Sequence, residues 1–160
     1  MSVTQRKTKE EVVENLHDVA REMYKRMAKG EAPTMTLPVR TKNNIGFDNK
    51  LGVYKYGSKR SIRDATSLGS ARQLLRALHI IEFIEEMIGN QKSSTLREMY
   101  YISEGWGHRK FGSQNESNNL AEDLEIVTKC LREDFKLRPE EDGARMIGNL
   151  TLNERNRRGE

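Results

Sequence analysis

Ser94-Thr-Leu-Arg-Glu-Met-Tyr-Tyr-Ile-Ser103 is the stretch on which the reading of this chain turns. A helix advances about 100° per residue, which puts Leu96, Met99 and Tyr100 on one face in the i, i+3, i+4 pattern of a core-facing stripe. Arg97 and Tyr101, four residues apart, fall together well away from that face. The two adjacent tyrosines are therefore expected in different surroundings, Tyr100 packed inward and Tyr101 in solvent. A phenol is a weak nucleophile while protonated, with an ordinary pKa of about 10. A guanidinium one turn away favours the phenolate, and its planar fork can grip phosphate oxygens. These residue types at this spacing suit phosphoryl transfer. They also suit an ordinary exposed tyrosine beside a surface arginine, and spacing alone leaves both readings open.

Working towards the N-terminus, Ser70-x-x-Gln73 reads as a capping box opening a helix. Its stripe is Leu74, Leu75, Leu78, Ile81, Ile84 and Ile88, and it stops at Gly89-Asn90. Residues 31–69 change character. Pro33 and Pro38 bracket a β-prone stretch from Thr34 to Arg40, and Leu51 to Tyr56 is a second. Asn43, Asn44, Gly46 and Asp48 lie between them as turn chemistry, so a hairpin or two irregular strands is expected. The cluster Lys55, Lys59, Arg60 and Arg63 is either a solvated surface or a phosphate contact. Before it, Thr8-x-x-Glu11 caps a first helix striped with Val12, Leu16, Val19, Met23 and Met27, with Gly30 as its stop.

Towards the C-terminus, a polar run leads into a helix expected to begin at Asn119, with Glu122 three residues on and a stripe of Leu120, Leu124, Val127 and Leu131. Gly143 to Leu152 is β-prone. Helix, short helix, polar loop, helix, then β predicts a mainly α chain with small β elements. Its architecture would be a winged helix-turn-helix (CAP-like) domain over residues 70–160, with a helix-and-strand extension over residues 1–69. On that plan Arg109 and Lys110 form a basic loop, and Ser113, Gln114, Asn115 and Asn118, in the polar run that leads into the last helix, approach phosphates or base edges. Arg155 and Arg157 would grip DNA from the wing. Each set also suits ordinary turn or surface roles. Glu122, Asp123 and Glu125 on the last helix would repel phosphates, which favours backbone and shape recognition over base reading. Trp106 reads as a cap on the core, His108 as a connector or a proton carrier, and Cys130 as core.

The bulk numbers exclude several classes. In 160 residues there are 28 Lys and Arg against 24 Asp and Glu, a net charge of +4, which suits nucleic acid without establishing it. One cysteine rules out an internal disulfide, and no Cys/His cluster has zinc-site spacing. The first ten residues do not resemble a signal peptide, and no apolar run approaches the roughly 20 residues of a membrane span. A soluble, intracellular protein is expected.

Arg97-Glu98-Met99-Tyr100-Tyr101 resembles the Arg-acidic-x-aromatic-Tyr signature of the A subunit of archaeal DNA topoisomerase VI, a type IIB enzyme, and of the related meiotic double-strand-break proteins. Lys50 to Ser61, the Leu75 to Ile88 helix, Gly112 to Asn119 and Gly143 to Leu152 resemble that subunit too. The resemblance implies an N-terminal part carrying the winged-helix cleavage domain. Tyr101 would attack a DNA phosphodiester to form a transient 5′-phosphotyrosyl link, with Arg97 stabilising charge on the phosphate. It implies Mg²⁺ held by acidic residues of a separate Toprim domain. The chain departs from the family there, because its six aspartates (Asp18, Asp48, Asp64, Asp123, Asp134, Asp142) include no Asp-x-Asp pair. The implied partners are double-stranded DNA, a second A protomer and an ATP-binding B subunit, in an A2B2 heterotetramer without a membrane, in the cytoplasm at the nucleoid. Alone, the chain would be inactive. The competing expectations are a non-enzymatic winged-helix DNA-binding regulator and an interaction module docking through its first helix.

Overall fold

Thr8-x-x-Glu11 does open a helix. The computed structural model describes residues 7–50 and 52–138, and its first element, α1 (Lys9–Ala28), begins on that capping box. The Glu11 amide donates to the Thr8 hydroxyl at 3.2 Å, and the Thr8 amide donates to the Glu11 carboxylate at 2.8 Å. Val12, Leu16, Val19 and Met23 are buried as their period predicts, while Met27, in the last turn, is 48% exposed. Gly30 follows in the left-handed region at φ +74°.

The β-prone region forms two nested hairpins. The outer pairs β1 (Thr34–Pro38) with β4 (Arg60–Asp64), antiparallel from Thr34 opposite Asp64 to Pro38 opposite Arg60. The inner pairs β2 (Ile45–Asp48) with β3 (Val53–Tyr56). Alternation along β1 buries Met35 and Leu37. The residues expected as turn chemistry instead give a short 3-10 turn at Lys42–Asn44 and a strand from Ile45. β4, which lies in the cluster read only as basic, was not expected. Its partner strand lies on the far side of the inner hairpin, a pairing that local pattern does not reveal.

The long helix α2 (Leu68–Gly89) starts one turn before the expected box. Ser67, not Ser70, is the N-cap. Its hydroxyl accepts from the Ser70 amide at 3.2 Å, and the Ser70 hydroxyl turns back to Ser67. Two serines three apart compete for the cap, and the one at the exit of the Asp64–Thr66 turn wins. Leu74, Ile81, Ile84 and Ile88 are buried with Ala77, Ile80, Phe83 and Met87, a face wider than the expected stripe because α2 meets α1, α4 and β4. Leu75 points the other way and is 40% exposed.

β5 (Ser94–Thr95) pairs in parallel with β6 (Leu137–Arg138), and α3 (Leu96–Ser103) follows β5 directly. A 3-10 segment, Glu104–Arg109, is broken at Gly107 (φ 62°), and α4 runs Gln114–Thr128. The expected start of α4 at Asn119 is five residues late. Ser113 caps it, accepting from the Glu116 amide at 3.3 Å, and Glu116 accepts from the Gly112 amide at 2.8 Å. Ser-x-x-Glu at 113–116 is thus the operative start signal. The end shifts too, so Leu131 lies beyond the helix and is exposed, while Cys130, also beyond it, is buried as expected. One core cluster draws on α1, β1, α2, α3 and α4. The β-prone stretch Gly143–Leu152 and Arg155, Arg157 and Arg158 lie outside the described residues.

One buried carboxylate ties the outer hairpin to α4. Asp123 is 4% exposed and pairs with Arg40, just beyond β1, and with Arg63 of β4 at 2.8 Å, while Arg40 also reaches Glu122 at 2.7 Å. Removing one member of a buried charge cluster leaves its partners uncompensated. Both guanidiniums keep some solvent contact, so Asp123→Ala is expected to cost about 2 kcal/mol in urea unfolding, and Glu122→Gln, at the more open edge of the cluster, less than about 0.5 kcal/mol. The cap of α3 gives a second prediction. Thr95→Ala is expected to cost about 1 kcal/mol. The Thr95 amide, then the Ser94 hydroxyl, hold the Glu98 carboxyl below its ordinary value of 4.5. A depressed carboxylate stabilises the fold above its unfolded pKa and loses that contribution as pH falls through the folded value. The stability gap between the parent and Glu98→Gln is therefore expected to be open at neutral pH and to close below pH 4.5, read from unfolding curves across acid pH.

Candidate functional site

α3 is only eight residues long, and its first turn fixes its orientation. Thr95 and Glu98 form a reciprocal capping box, with Glu98 N to Thr95 Oγ1 at 3.0 Å and Thr95 N to Glu98 Oε2 at 2.8 Å. The same Glu98 oxygen accepts from Ser94 Oγ at 3.0 Å. Ser94 is pinned in turn, its amide donating to the Lys136 carbonyl at 3.0 Å, and Arg138 donates to Ser93 Oγ at 2.6 Å. At the far end the buried Ser103 hydroxyl donates to the Tyr100 carbonyl at 2.6 Å within α3 and accepts from the Phe111 amide, outside it, at 3.5 Å. Held at both ends, α3 cannot roll. Leu96 and Met99 are buried and Tyr100 packs on the core in part, whereas Tyr101 is 55% exposed.

Arg97 lies one turn before Tyr101, its Nε donating to the phenol oxygen at 3.3 Å and its guanidinium carbon 5.7 Å from the ring centre. The Tyr100 ring is 5.5 Å from that of Tyr101. The inward and outward tyrosines and the Arg–Tyr pair are placed as the helical period predicts. A phenol in this position is accessible to a bulky phosphodiester, and a guanidinium is beside it to compensate negative charge. Tyr101 borders a shallow groove lined by Met87, Gln91, Lys92, Ser94, Glu98 and Ile102. Lys92 went unremarked in the sequence, where it reads as a loop cation after the Gly89-Asn90 stop. Only the fold brings it to the groove of the tyrosine.

The other sequence candidates do not share this groove. Ser113 and Asn115 border a separate depression with Arg63, Gln73 and Asn119 along α4. Contrary to expectation, Gln114, Asn115 and Asn118 belong to the first turns of α4 rather than to a loop before it. Asn115 is exposed, and Asn118 is half-buried with an Oδ1 that has no hydrogen-bond partner. Lys110 is paired to Glu104 at 2.9 Å, whose carboxylate raises the ammonium pKa. Arg109 is exposed and donates to the Trp106 carbonyl at 3.3 Å. Their loop is clasped from α2, because Arg76 bonds to the Arg109 carbonyl at 3.2 Å, to the Lys110 carbonyl and to Glu116. Trp106 does cap the core, stacked 5.1 Å from His79 and 5.4 Å from Phe111. The expectation that the acids of α4 would repel phosphates is corrected. Asp123 is buried between two arginines, Glu122 pairs with Arg40, and Glu125 pairs with Arg132 at 2.5 Å. Arg63, in the cluster expected either as a solvated surface or as a phosphate contact, is instead paired with the buried Asp123.

Among the described residues no group of three or more His, Cys, Asp or Glu side chains can hold a metal ion, and no helix there is long and apolar enough to cross a membrane. Residues 72–137, which contain most of α2 and all of α3 and α4, match the family model described as type IIB DNA topoisomerase. The chain is 49% identical over 156 residues to the A subunit of type 2 DNA topoisomerase 6 from Natronomonas pharaonis, covering 96% of this chain and 42% of the relative. Its counterpart from Haloarcula marismortui is 48% identical over 153 residues (94% and 42%), and that from Archaeoglobus fulgidus 46% over 141 residues (88% and 39%). The chain thus spans about two fifths of the length of these archaeal relatives. With its tyrosine helix inside the matched segment, this chain belongs to the type IIB DNA topoisomerase family.

Proposed function

We propose that this chain is the DNA-cleaving portion of the A subunit of a type IIB topoisomerase and that Tyr101 is its nucleophile. The observation that carries this reading is the exposed Tyr101 phenol, held one turn from Arg97 on a helix capped at its start, while its neighbour Tyr100 packs inward. In the proposed step the Tyr101 oxygen loses its proton and attacks a backbone phosphorus. A bond from Tyr101 Oη to phosphorus forms and the bond from phosphorus to the 3′ oxygen breaks. That oxygen leaves as a hydroxyl once protonated, and the 5′ phosphate stays on the protein. Resealing runs the same step backwards, so the phosphodiester is conserved without hydrolysis. Arg97 opposes the charge that builds on the phosphate oxygens, where a fixed cation acts most strongly. Lys92, which lines the same groove, would meet a neighbouring phosphate.

The surrounding elements serve as a DNA platform on this reading. α2, α3 and α4 act as the helical part of a winged helix-turn-helix. α4 presents Asn115 and Ser113, with Gln114 and Asn118 in the same turns, and the clasped loop presents Arg109 and Lys110. Recognition is of backbone and shape, which suits an enzyme that cuts many sequences. Mg²⁺ is assigned to a Toprim domain, because the acids of the described residues do not fit it, and the step above is limited to what this chain's own side chains do. A second A protomer and an ATP-binding B subunit complete the proposed A2B2 assembly in the cytoplasm. The names of the relatives and the matched family support the assignment.

In the full-length, partner-bound protein, Tyr101→Phe is expected to abolish covalent protein–DNA adducts while leaving DNA affinity within about twofold. Tyr100→Phe is expected to keep adduct formation. Arg97→Ala is expected to slow adduct formation by about 10²-fold, with Arg97→Lys restoring only part of it because the planar fork is gone. Trapped adducts resolved by denaturing gel check each variant. Persistent adducts in Tyr101→Phe would favour the non-enzymatic DNA-binding regulator.

A further inference from the structure

The inner hairpin projects a face that nothing in the described fold covers. Ile45 stands opposite Tyr56 and Phe47 opposite Tyr54 in the β2–β3 ladder. Residues two apart on a strand share a face, so all four side chains lie on one side. Their exposures are 40%, 39%, 52% and 75% respectively. Phe47 and Tyr54 meet edge to face with ring centres 5.1 Å apart. Lys55 and Asp48 lie on the opposite side, paired at 2.8 Å.

The hairpin stands on a fixed base. Asn44 is 4% exposed, and its side-chain amide donates to the Val39 and Lys59 carbonyls at 2.9 and 3.0 Å while accepting from the Lys59 amide at 3.0 Å. The Gly57 amide closes onto the Asn44 carbonyl at 2.6 Å, and a side chain at Gly57 would meet Asn44 Oδ1 at 2.6 Å. A buried, fully bonded asparagine at the root of an exposed aromatic ladder sets the direction of the ladder before any partner arrives.

Charge identifies the partner. Residues 42–60 carry Lys42, Lys50, Lys55, Lys59 and Arg60 against the single acid Asp48, a local charge of +4 that equals the net charge of the whole chain, so the other residues sum to zero. Lys50 sits in the turn, while Lys42, Lys59 and Arg60 flank the base, and Lys42, Lys50 and Lys59 are exposed without an ion pair among the described residues. Four side chains at these exposures leave roughly 400 Å² open, about half of what one partner contributes to a standard protein–protein interface. That area is small for a second copy of this chain, and the excess of cations calls for a polyanion.

We infer that the β2–β3 hairpin is a second DNA-binding element, separate from the Tyr101 groove. Its lysines and arginine hold phosphates, and Phe47 and Tyr54 pack against sugars and bases. The inference rests on the proposal that the chain acts on DNA, and it adds a contact to that reading.

The test is binding of a fluorescein-labelled DNA duplex by the full-length, partner-bound protein between about 50 and 200 mM salt. Lys42→Gln with Lys50→Gln and Lys59→Gln is expected to flatten the slope of log affinity against log salt by about 2 to 3. Phe47→Ala with Tyr54→Ala is expected to weaken binding about tenfold at fixed salt with the slope unchanged. Thermal melting should match the parent for both, since every changed side chain is exposed, and each variant should regain adduct formation at saturating DNA. If both bind DNA like the parent, the inference is wrong. If they also lose association with the B subunit or a second copy, the face is a protein interface instead. Hairpin variants that lose affinity while Tyr101→Phe still forms adducts would sink the nucleophile assignment and keep this one.

Discussion

Every claim about chemistry in this protein depends on how α3 is prevented from rotating. A helix of two turns has too few backbone hydrogen bonds to hold itself, and a roll of about 100° would exchange Tyr101 for Tyr100 at the surface. Three constraints stop it. The Thr95–Glu98 box satisfies the Thr95 and Glu98 amides, Ser94 ties that box to β5 and β6, and Leu96, Met99 and Ser103 are buried on the inner side. Glu98 takes part in two of the three. It is an exposed acid whose carboxylate accepts from Thr95 and Ser94 at once, so its place in the Arg-Glu-Met-Tyr-Tyr run is explained by architecture rather than by contact with a substrate.

A second theme is how the chain spends its charges. Asp123 is enclosed by Arg40 and Arg63, Glu116 by Arg76, and Glu125 by Arg132. These pairs stitch the hairpins to α4 and the loop after α3 to α2. They also remove cations that a reading of composition would place on a DNA face. Among the described residues, the cations left without an ion pair include Lys42, Lys50, Lys59 and Arg60 in and around the inner hairpin, and scattered residues such as Lys92 and Arg109. The net charge of +4 therefore understates how uneven the surface is.

Much of the fold was legible because it is local. Thr8-x-x-Glu11, the stripe from Leu74 to Ile88 and the spacing of Leu96, Met99 and Tyr100 each describe one helix, and the structure places them accordingly. The misses share one cause, which is competition between similar signals or dependence on distant partners. Ser67 outcompeted Ser70, and Ser113-x-x-Glu116 outcompeted a later start at Asn119. β4 needs β1, and the burial of Asp123 needs two arginines 60 and 83 positions away. At the site, the Arg97–Tyr101 pair could be read from a helical wheel. The approach of Lys92 to the same groove could not, because it depends on how the turn after α2 returns to β5.

The most direct test of the central claim is to identify the residue that carries DNA in a trapped cleavage complex of the full-length, partner-bound protein. Nuclease digestion followed by trypsin should release a peptide spanning residues 98–109, which contains both tyrosines, and fragmentation in the mass spectrometer separates Tyr100 from Tyr101. With Tyr101 as the nucleophile, the nucleotide phosphate is expected on Tyr101 and Tyr100 is expected unmodified. A nucleotide on Tyr100, or on any residue outside α3, would contradict it.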